Sequence, residues 1–436
     1  MTSAFTPDAA RALGGPDWLV ERRLEAAEGL DEITWPTPAE EIWRYSRIDE
    51  LDLERYRPLT STDPGLADGP APGGGPVAAE AGERAGLVVV HNGRVVRCEL
   101  DESLAAKGVV IDDLSSGNDA VRNALGTCSA AAPDAFTELH DAFLMGGAFV
   151  SVPAGVVVDK PIVVLHWSEG DGLATFPHTL VLAGESSELT VVDRFSSPDV
   201  RPPNGGGGGH LVNAVVELLV DDNARVRYLS VQQHGPHTWQ IALQRAHVGR
   251  DASLRSSAVA LGGDYARLRS ESLLTGAGAE SDLLAVYFGD GAQMLDFRTL
   301  QDHDAPRTRS DLLFKGAVED EARSVYSGLI RLRPSAQKAN ASQTNRNLVL
   351  TEGAGAESIP NLEIEANDVR CSHASTVGPI DDDQLYYLET RGIRPEEAER
   401  LIVLGFFDDV FARLPVPSLV APLRRTVIEK IEHRRG

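Results

Sequence analysis

Cysteine is scarce in this chain: three in 436 residues, Cys98, Cys128 and Cys371. The number is odd and the spacings are wide, and no Cys-x-x-Cys occurs. That excludes a disulfide framework, a zinc knuckle and a thioredoxin-type pair, and it fits a reducing compartment. Lysine is nearly absent too, with only Lys107, Lys160, Lys315, Lys338 and Lys430; arginine carries the rest of the positive charge. No GxxxxGK[ST] string is present, so the chain is expected to bind and hydrolyse no nucleotide itself. No apolar run approaches the ~18 residues of a membrane span. The first fifteen residues have no basic stretch followed by an apolar core, so no signal peptide is expected. These absences point to a cytoplasmic protein without a membrane partner. Aromatics are only 6% of the residues. Positive charge is outnumbered: 41 Lys and Arg against 65 Asp and Glu give a formal net charge of −24. Such a surface repels nucleic acid.

What is present changes character along the chain. Residues 1–60 read as helical: Trp18, Leu19, Arg22, Leu24 and Ala27 keep helical spacing behind Pro16. Pro36 interrupts, and Thr37 with Glu40 forms a capping-box pattern that predicts a second short helix. Trp43 and Tyr45 read as packing anchors. Residues 61–86 are rich in Pro, Gly and Ala and read as a linker. Residues 87–97 predict a β-hairpin turning at Asn92-Gly93. Residues 134–146 predict a helix with Phe136, Leu139 and Phe143 on one face.

From 147 to 378 short apolar runs alternate with small or acidic turns. Six turns share one form: Gly184-Glu185-Ser186-Ser187, Asp221-Asp222-Asn223-Ala224, Gly249-Arg250-Asp251-Ala252, Gly276-Ala277-Gly278-Ala279, Glu319-Asp320-Glu321-Ala322 and Gly353-Ala354-Gly355-Ala356. Repeated strand–turn–strand units at a loose period imply a solenoid, here a β-helix of parallel strands. A β-sandwich or jelly roll is the alternative, although ~230 residues is long for one sandwich. Glycines 205–209 mark a protruding loop. After 381 helical patterns return. Asp381 is placed to cap a helix ended by Gly392, Pro395 to start a longer one, and Leu419, Leu423, Val427 and Ile431 to line a third. A helical cap over the open end of the solenoid is expected, because that end exposes strand edges and core. The chain therefore divides into 1–146, helical with the linker and hairpin; 147–380, β-helix; and 381–436, helical.

Between Asn361 and Asp381 lies the chemistry. Cys371 and His373 are two apart in an extended stretch, so their side chains share a face. A thiolate beside an imidazole suits zinc, copper or iron, or Cys/His nucleophilic chemistry. A core cysteine beside a surface histidine is the other reading. His303 reads as a turn or surface histidine, His234 and His237 as turn residues, and Cys98 and Cys128 as structural.

Several strings carry a family resemblance. They are EEIWRYSRIDELDL (40–53), RSDLLFKGAV (309–318), the long block from QKANASQTNRN through VRCSHASTVGPID to LETRGI (337–393), and EEAERLIVLGFFDDVF (396–411). With the order of parts they resemble the SufB/SufD family of SUF-system iron–sulfur cluster assembly scaffolds, and within it the SufD branch. That resemblance implies a mainly β fold with helical ends, a right-handed parallel β-helix flanked by N- and C-terminal helical domains. It implies pairing with a SufB-like subunit through the β-helices. It also implies binding of a SufC-like ABC ATPase through the C-terminal helices, where Phe406, Phe407 and Phe411 are the candidate contacts. ATP-driven association of two such ATPases would then be transmitted to the β-helix interface.

By the same resemblance His373 is this chain's contribution to a nascent-cluster site at the interface. Cys371 is either a second ligand or a structural thiol. Glu363, Glu365 and Asp368 are candidates to orient the imidazole. The SufB branch has a cysteine on the strand matching Asn361 to Glu365, where this chain has Ile364 or a neighbour; that favours SufD. An iron–sulfur cluster needs about four ligands, which this chain cannot assemble alone. The cargo is thus a transient cluster, or iron, shared with a partner. The sequence leaves open a homodimer in isolation, a SufB-like paralogue, and a β-helix carbohydrate-active enzyme. The last requires paired carboxylates in an aromatic-lined groove, and few aromatics fall within 147–378.

Overall fold

The computed structural model describes residues 4–59, 82–129, 134–198 and 209–433. The glycine loop except Gly209, and most of the linker named above, lie outside these residues. The core is a solenoid of two facing sheets. In hydrogen-bonded order the first sheet is β20 (Gly355–Ile364), β18 (Arg323–Leu332), β16 (Met294–His303), β14 (Tyr265–Leu274), β12 (Thr238–Val248), β10 (His210–Val220), β8 (His178–Ala183), β5 (Ala148–Val152) and β4 (Val110–Asp113); β7 (Leu173–Thr175) joins β10 to β1 (Arg57–Pro58). The second is β21 (Arg370–Gly378), β19 (Asn340–Val349), β17 (Arg309–Val318), β15 (Glu280–Gly289), β13 (Ser253–Ala260), β11 (Arg225–Gln233), β9 (Glu188–Ser196), β6 (Ile162–Trp167), β2 (Gly86–His91) and β3 (Arg94–Leu100). From β6 onward every pairing is parallel and the chain alternates between sheets, except that β7 and β8 follow one another in the first sheet and both pair with β10.

One edge explains the turn motif. Ser186, Asn223, Asp251, Gly278, Arg307 and Lys338 all have positive φ, between 53° and 76°. Each donates its N–H to a carbonyl in the next coil's turn: Asp222, Arg250, Ala277, Pro306, Gln337 and Asp368, at 2.6–3.1 Å. Ser, Asn, Asp and Gly tolerate this left-handed geometry, which lets the chain reverse while its free N–H ties coil to coil. The first four sequence motifs stack on this edge. The turns at Glu319 and Gly353 lie on the opposite edge, so the six motifs mark two columns.

The inner faces of both sheets are largely apolar, and so are those parts of the outer faces that helices cover. The interior is filled by residues such as Val212, Val216, Val226, Tyr228 and Leu254. The outer face of the first sheet receives the N-terminal part: α1 (Pro7–Ala12), α2 (Asp17–Gly29), α4 (Asp119–Ala124) and α5 (Ala135–Phe143), with the short α3 (Glu102–Ala105) elsewhere in the chain. There Phe5, Trp43, Phe136 and Phe143 pack with Leu211, Trp239 and Tyr265. Trp43 is an anchor as expected, with the Arg267 guanidinium 3.8 Å above its ring; Tyr45 is instead exposed. Thr37 N–H does bond Glu40 Oε1 at 3.0 Å, but only a turn and a single 3-10 turn at Glu41–Trp43 follow, since Pro36 and Pro38 remove donors. The hairpin forms, with Asn92 and Gly93 both at positive φ. It is not outside the solenoid: β2 runs parallel to β6 from Gly86, and β4 pairs with β5. The sheets thus begin about sixty residues before 147.

The C-terminal helices α6 (Asp382–Thr390), α7 (Pro395–Phe411) and α8 (Pro417–His433) do not cap the solenoid. Val403, Phe407, Val410, Phe411, Leu423 and Val427 pack on the outward residues Leu229, Val231, Val259, Leu284 and Val286 of the second sheet. Each such apolar side chain contributes about 1.5–3 kcal/mol when fully buried, so the flank, rather than the end, is where this face is satisfied. Two of the five lysines pin it. Lys315 Nζ donates to Phe406 O and Asp409 Oδ2, both at 2.7 Å, and Lys430 Nζ donates to Leu261 O at 2.9 Å.

Candidate functional site

The last coil is left open. β20 and β21 each have a hydrogen-bonded neighbour on one side only. Side chains two apart alternate across a strand, and register with the covered coil shows which point inward. On β21, Cys371, His373, Ser375 and Val377 lie over Ala341, Gln343, Asn345 and Asn347. On β20, Ser358, Pro360, Leu362 and Ile364 lie over Tyr326, Gly328, Ile330 and Leu332. The lower row is buried, whereas Ile364 and Val377 are 47% and 43% exposed and His373 is exposed. Interior-facing residues thus form a surface.

The two strands face each other across this surface. Ser375 Oγ donates to Ser358 Oγ at 2.7 Å, and Cys371 shares a cluster with Leu362 and Val369. The same spacing sets Pro360 opposite His373. Cys371 and His373 therefore do share the inward face, as extended geometry requires. They differ in environment. Cys371 is half-buried against Ile330, Leu332 and Ala341, and burial raises its thiol pKa, so little thiolate forms near neutrality. His373 makes no hydrogen bond with a described residue, leaving both ring nitrogens available.

Beneath lies a layer of satisfied polar groups. Tyr326 Oη donates to Gln343 Oε1 at 3.1 Å, and Gln343 Nε2 donates to Asn361 O at 3.2 Å. Tyr287 Oη donates to Asn347 Oδ1 at 2.7 Å and accepts from Asn345 Nδ2 at 2.9 Å; Asn347 Nδ2 returns to Asn345 Oδ1 at 2.8 Å. A fully bonded buried network is rigid, so the open coil rests on a fixed floor. The signal for it was in the string Gln343-Thr344-Asn345-Arg346-Asn347, whose amides recur at the strand period. Polar residues at that period normally face solvent, and so the layer escapes sequence reading.

The carboxylates expected to orient His373 are not brought to it. Glu363 points outward from the first sheet and accepts from Arg331 Nε at 2.7 Å. Glu365 and Asp368 are exposed at the turn, where Asp368 serves the stacked corner through its main chain. The phenylalanine face is likewise not free. Phe407 and Phe411 are buried against the second sheet, and Phe406 lies under Lys315 Nζ at 4.9 Å. On these helices Tyr386, Tyr387 and Leu401 are exposed instead, at 69%, 57% and 44%. His303 is an interior residue, bonded to Thr308 Oγ1 at 2.7 Å and Ser310 Oγ at 2.9 Å. Cys98 is exposed on β3 and Cys128 fully buried, where burial pushes its thiol up to about 12. Asp381 caps α6 by accepting from Asp383 N–H at 2.8 Å.

Among the described residues no three His, Cys, Asp or Glu side chains are grouped so as to hold a metal ion. Cys371 and His373 are at most part of a ligand set. Nor is any described helix long and apolar enough to cross a membrane.

The edges at the other end of the solenoid are built differently. β3 is antiparallel to β2, with a register shift at Val89/Val90, and carries Arg94, Arg97 and Glu99 on a largely exposed strand. β4 is antiparallel to β5. Charge and irregularity are how sheet edges resist pairing; β21 offers only Arg370 as a charged side chain.

Residues 166–406 match the family model described as SUF system FeS cluster assembly, SufBD core domain. The chain is 33% identical to an iron–sulfur cluster assembly SufBD family protein of Mycobacterium tuberculosis, over 94% of this chain and 92% of that one. It is 29% identical to the iron–sulfur cluster assembly protein SufD of Bacillus subtilis, over 96% and 95% respectively. A SufBD family protein of Staphylococcus saprophyticus is 25% identical over 93% of this chain and 88% of its own.

Proposed function

The chain belongs to the SufBD family of SUF-system iron–sulfur cluster assembly proteins, and we propose that it is a SufD-type scaffold subunit that contributes half of a cluster-building site. The observation that carries this is the uncovered last coil: two parallel edge strands with no further neighbour, β21 with a single charged side chain, an exposed imidazole and a half-buried thiol on one face, and a rigid floor. A sister β-helix docking edge to edge would satisfy the free backbone groups, cover Ile364 and Val377, and bring its own ligands to His373. The nascent cluster is then cargo held across the interface. His373 binds iron through a neutral ring nitrogen, and Cys371 is the weaker candidate because its thiolate is disfavoured. Without the sister subunit the same edges are available to a second copy of this chain.

The C-terminal helices supply the ATPase-binding surface through their exposed side, Tyr386, Tyr387 and Leu401. The two lysine latches make helices and second sheet one body, so motion imposed on the helices reaches the coil edges. A carbohydrate-active enzyme is less well supported. The groove on the outer face of the first sheet has no aromatic lining, and its carboxylates Glu271 and Asp302 are both in ion pairs with arginine.

Co-expression with a SufB-like and a SufC-like protein tests the proposal. A complex containing all three is expected on affinity purification through this chain. Recovery of this chain alone under those conditions would overturn it.

A further inference from the structure

The two free edges of the last coil differ by one missing donor. Along a strand, the backbone groups of successive residues point to opposite neighbours. On β20, Gly355 donates its N–H to Ala322 O at 3.0 Å, and Glu365, just past the strand's end, donates to Leu332 O at 2.8 Å. Register with β18 is continuous between them. The odd-numbered residues of β20 therefore serve β18, and Ala356, Ser358, Pro360, Leu362 and Ile364 aim their backbone groups at the free edge. On β21, Arg370 donates to Ala339 O at 2.9 Å, so Cys371, His373, Ser375 and Val377 face the free edge there. Each of these residues has an N–H except Pro360. A proline nitrogen gives a neighbouring strand nothing to bond.

Two contacts fix where this gap falls. Ser358 meets Ser375, and Leu362 clusters with Cys371. Between those pairs Pro360 faces His373. The donor row of β21 is complete beside the imidazole, and the row of β20 is broken across from it.

Strand pairing holds neighbouring coils about 4.8 Å apart. At that spacing Gln343, directly beneath His373, is buried to 1% exposure. A sister coil paired without a break along both edges would bury His373 in the same way and leave no volume for cargo. One sheet must part at this level. We propose that Pro360 is a positioning residue that makes the first sheet part there, so that the interface stays open beside His373 while β21 pairs. The inference rests on the SufD-type reading and adds to it the place where the interface opens. Proline also guards free edges against stray pairing. A guard would serve anywhere along β20, whereas an opening for cargo requires the place across from His373.

The test uses the complex of the full chain co-expressed with a SufB-like and a SufC-like protein, purified without oxygen and supplied with ferrous iron and sulfide. Pro360→Ala and Pro360→Val each restore an edge N–H and remove no backbone hydrogen bond within the chain. Both complexes should assemble with wild-type stoichiometry. The amide at position 360 should exchange freely in the isolated variant and be protected in its complex. Iron and sulfide loading should be at least threefold slower than in the wild-type complex. A freely exchanging amide at position 360 in an assembled complex overturns the proposal, as does wild-type loading with that amide protected. Tighter self-association of the isolated variants together with wild-type loading leaves only an edge guard and overturns it as well. Variants that fail to join a complex the wild-type chain joins also overturn it, because docking itself would then need the proline. A wild-type chain that joins no complex overturns the SufD-type reading, and this inference with it, before any variant is compared.

Discussion

Gln343 and His373 are register partners on adjacent strands, yet Gln343 is 1% exposed and His373 stands open to solvent. One more coil would bury His373 as completely as its neighbour. The site is a consequence of where the solenoid stops.

Because both edge strands lack a further neighbour, adding charge at their exposed positions should block pairing without harming the fold. Ile364→Lys and Val377→Lys replace exposed side chains, so stability should change by less than about 0.5 kcal/mol. Association with a SufB-like partner should weaken more than tenfold, since lysine on an edge deters strand addition. Analytical ultracentrifugation of mixed subunits reads the loss.

The Lys315 latch should hold α7 to the sheet. Lys315→Ala removes charged hydrogen bonds to Phe406 O and Asp409, a loss of about 2 kcal/mol in urea unfolding; Asp409 is half open to water and adds little of this. The Lys315 hydrogen bond lowers the Asp409 carboxyl pKa. A lowered carboxylate stabilises above its ordinary range near pH 4 and loses that effect as pH falls through the folded value. Hydrogen-exchange protection of α7, corrected for the intrinsic rate at each pH, should therefore fall on acidification in the wild type and be low at all pH in Lys315→Ala.

Acid should weaken the whole solenoid, starting well above pH 4. Burial lowers His140 to about 3, His210 to about 4, His234 to about 3 and His303 to about 4. The unfolded chain takes up these protons near pH 6.5 and the native chain does not. Stability is thus complete above pH 6.5 and falls below it, by up to about 1.4 kcal/mol per pH unit for each histidine. Scanning calorimetry should show a lower Tm at pH 5.5 than at pH 7.5; an unchanged Tm would contradict these assignments.

Glu217 should be the most sensitive carboxylate. Burial alone would raise it, but His178 at 3.3 Å and the N–H groups of Gly126, Cys128 and Ser129 outweigh burial and bring it to about 2. Its contribution is present above about pH 4.3 and is lost as pH falls toward 2. Glu217→Gln should cost roughly 3 kcal/mol at pH 7 in urea unfolding, by releasing the 126–129 loop from β10.

Much of this fold was legible because turns and alternation are local. Asn223 and Asp251 announce left-handed corners by composition, and Asn92-Gly93 announces the hairpin. The placement of the C-terminal helices was not legible. Phe406, Phe407 and Phe411 read as one apolar face, but sequence does not say whether such a face meets a partner, a solenoid end or a sheet flank. The shared face of Cys371 and His373 followed from a spacing of two. The roles expected of Glu363, Glu365 and Asp368 rested on nearness in sequence, and strand alternation with the Arg331 pair turns Glu363 away. His303 was misread because a polar residue near a turn resembles a surface residue; only the coils on either side show that it points inward.

The most direct measurement is iron and acid-labile sulfide in the co-expressed complex, purified without oxygen, comparing wild type with His373→Ala and Cys371→Ala. His373 has no hydrogen bond to a described residue to lose, so complex yield and stoichiometry should be unchanged. The account predicts that His373→Ala lowers iron and sulfide several-fold and Cys371→Ala lowers them less. Wild-type iron and sulfide in a fully assembled His373→Ala complex would contradict it.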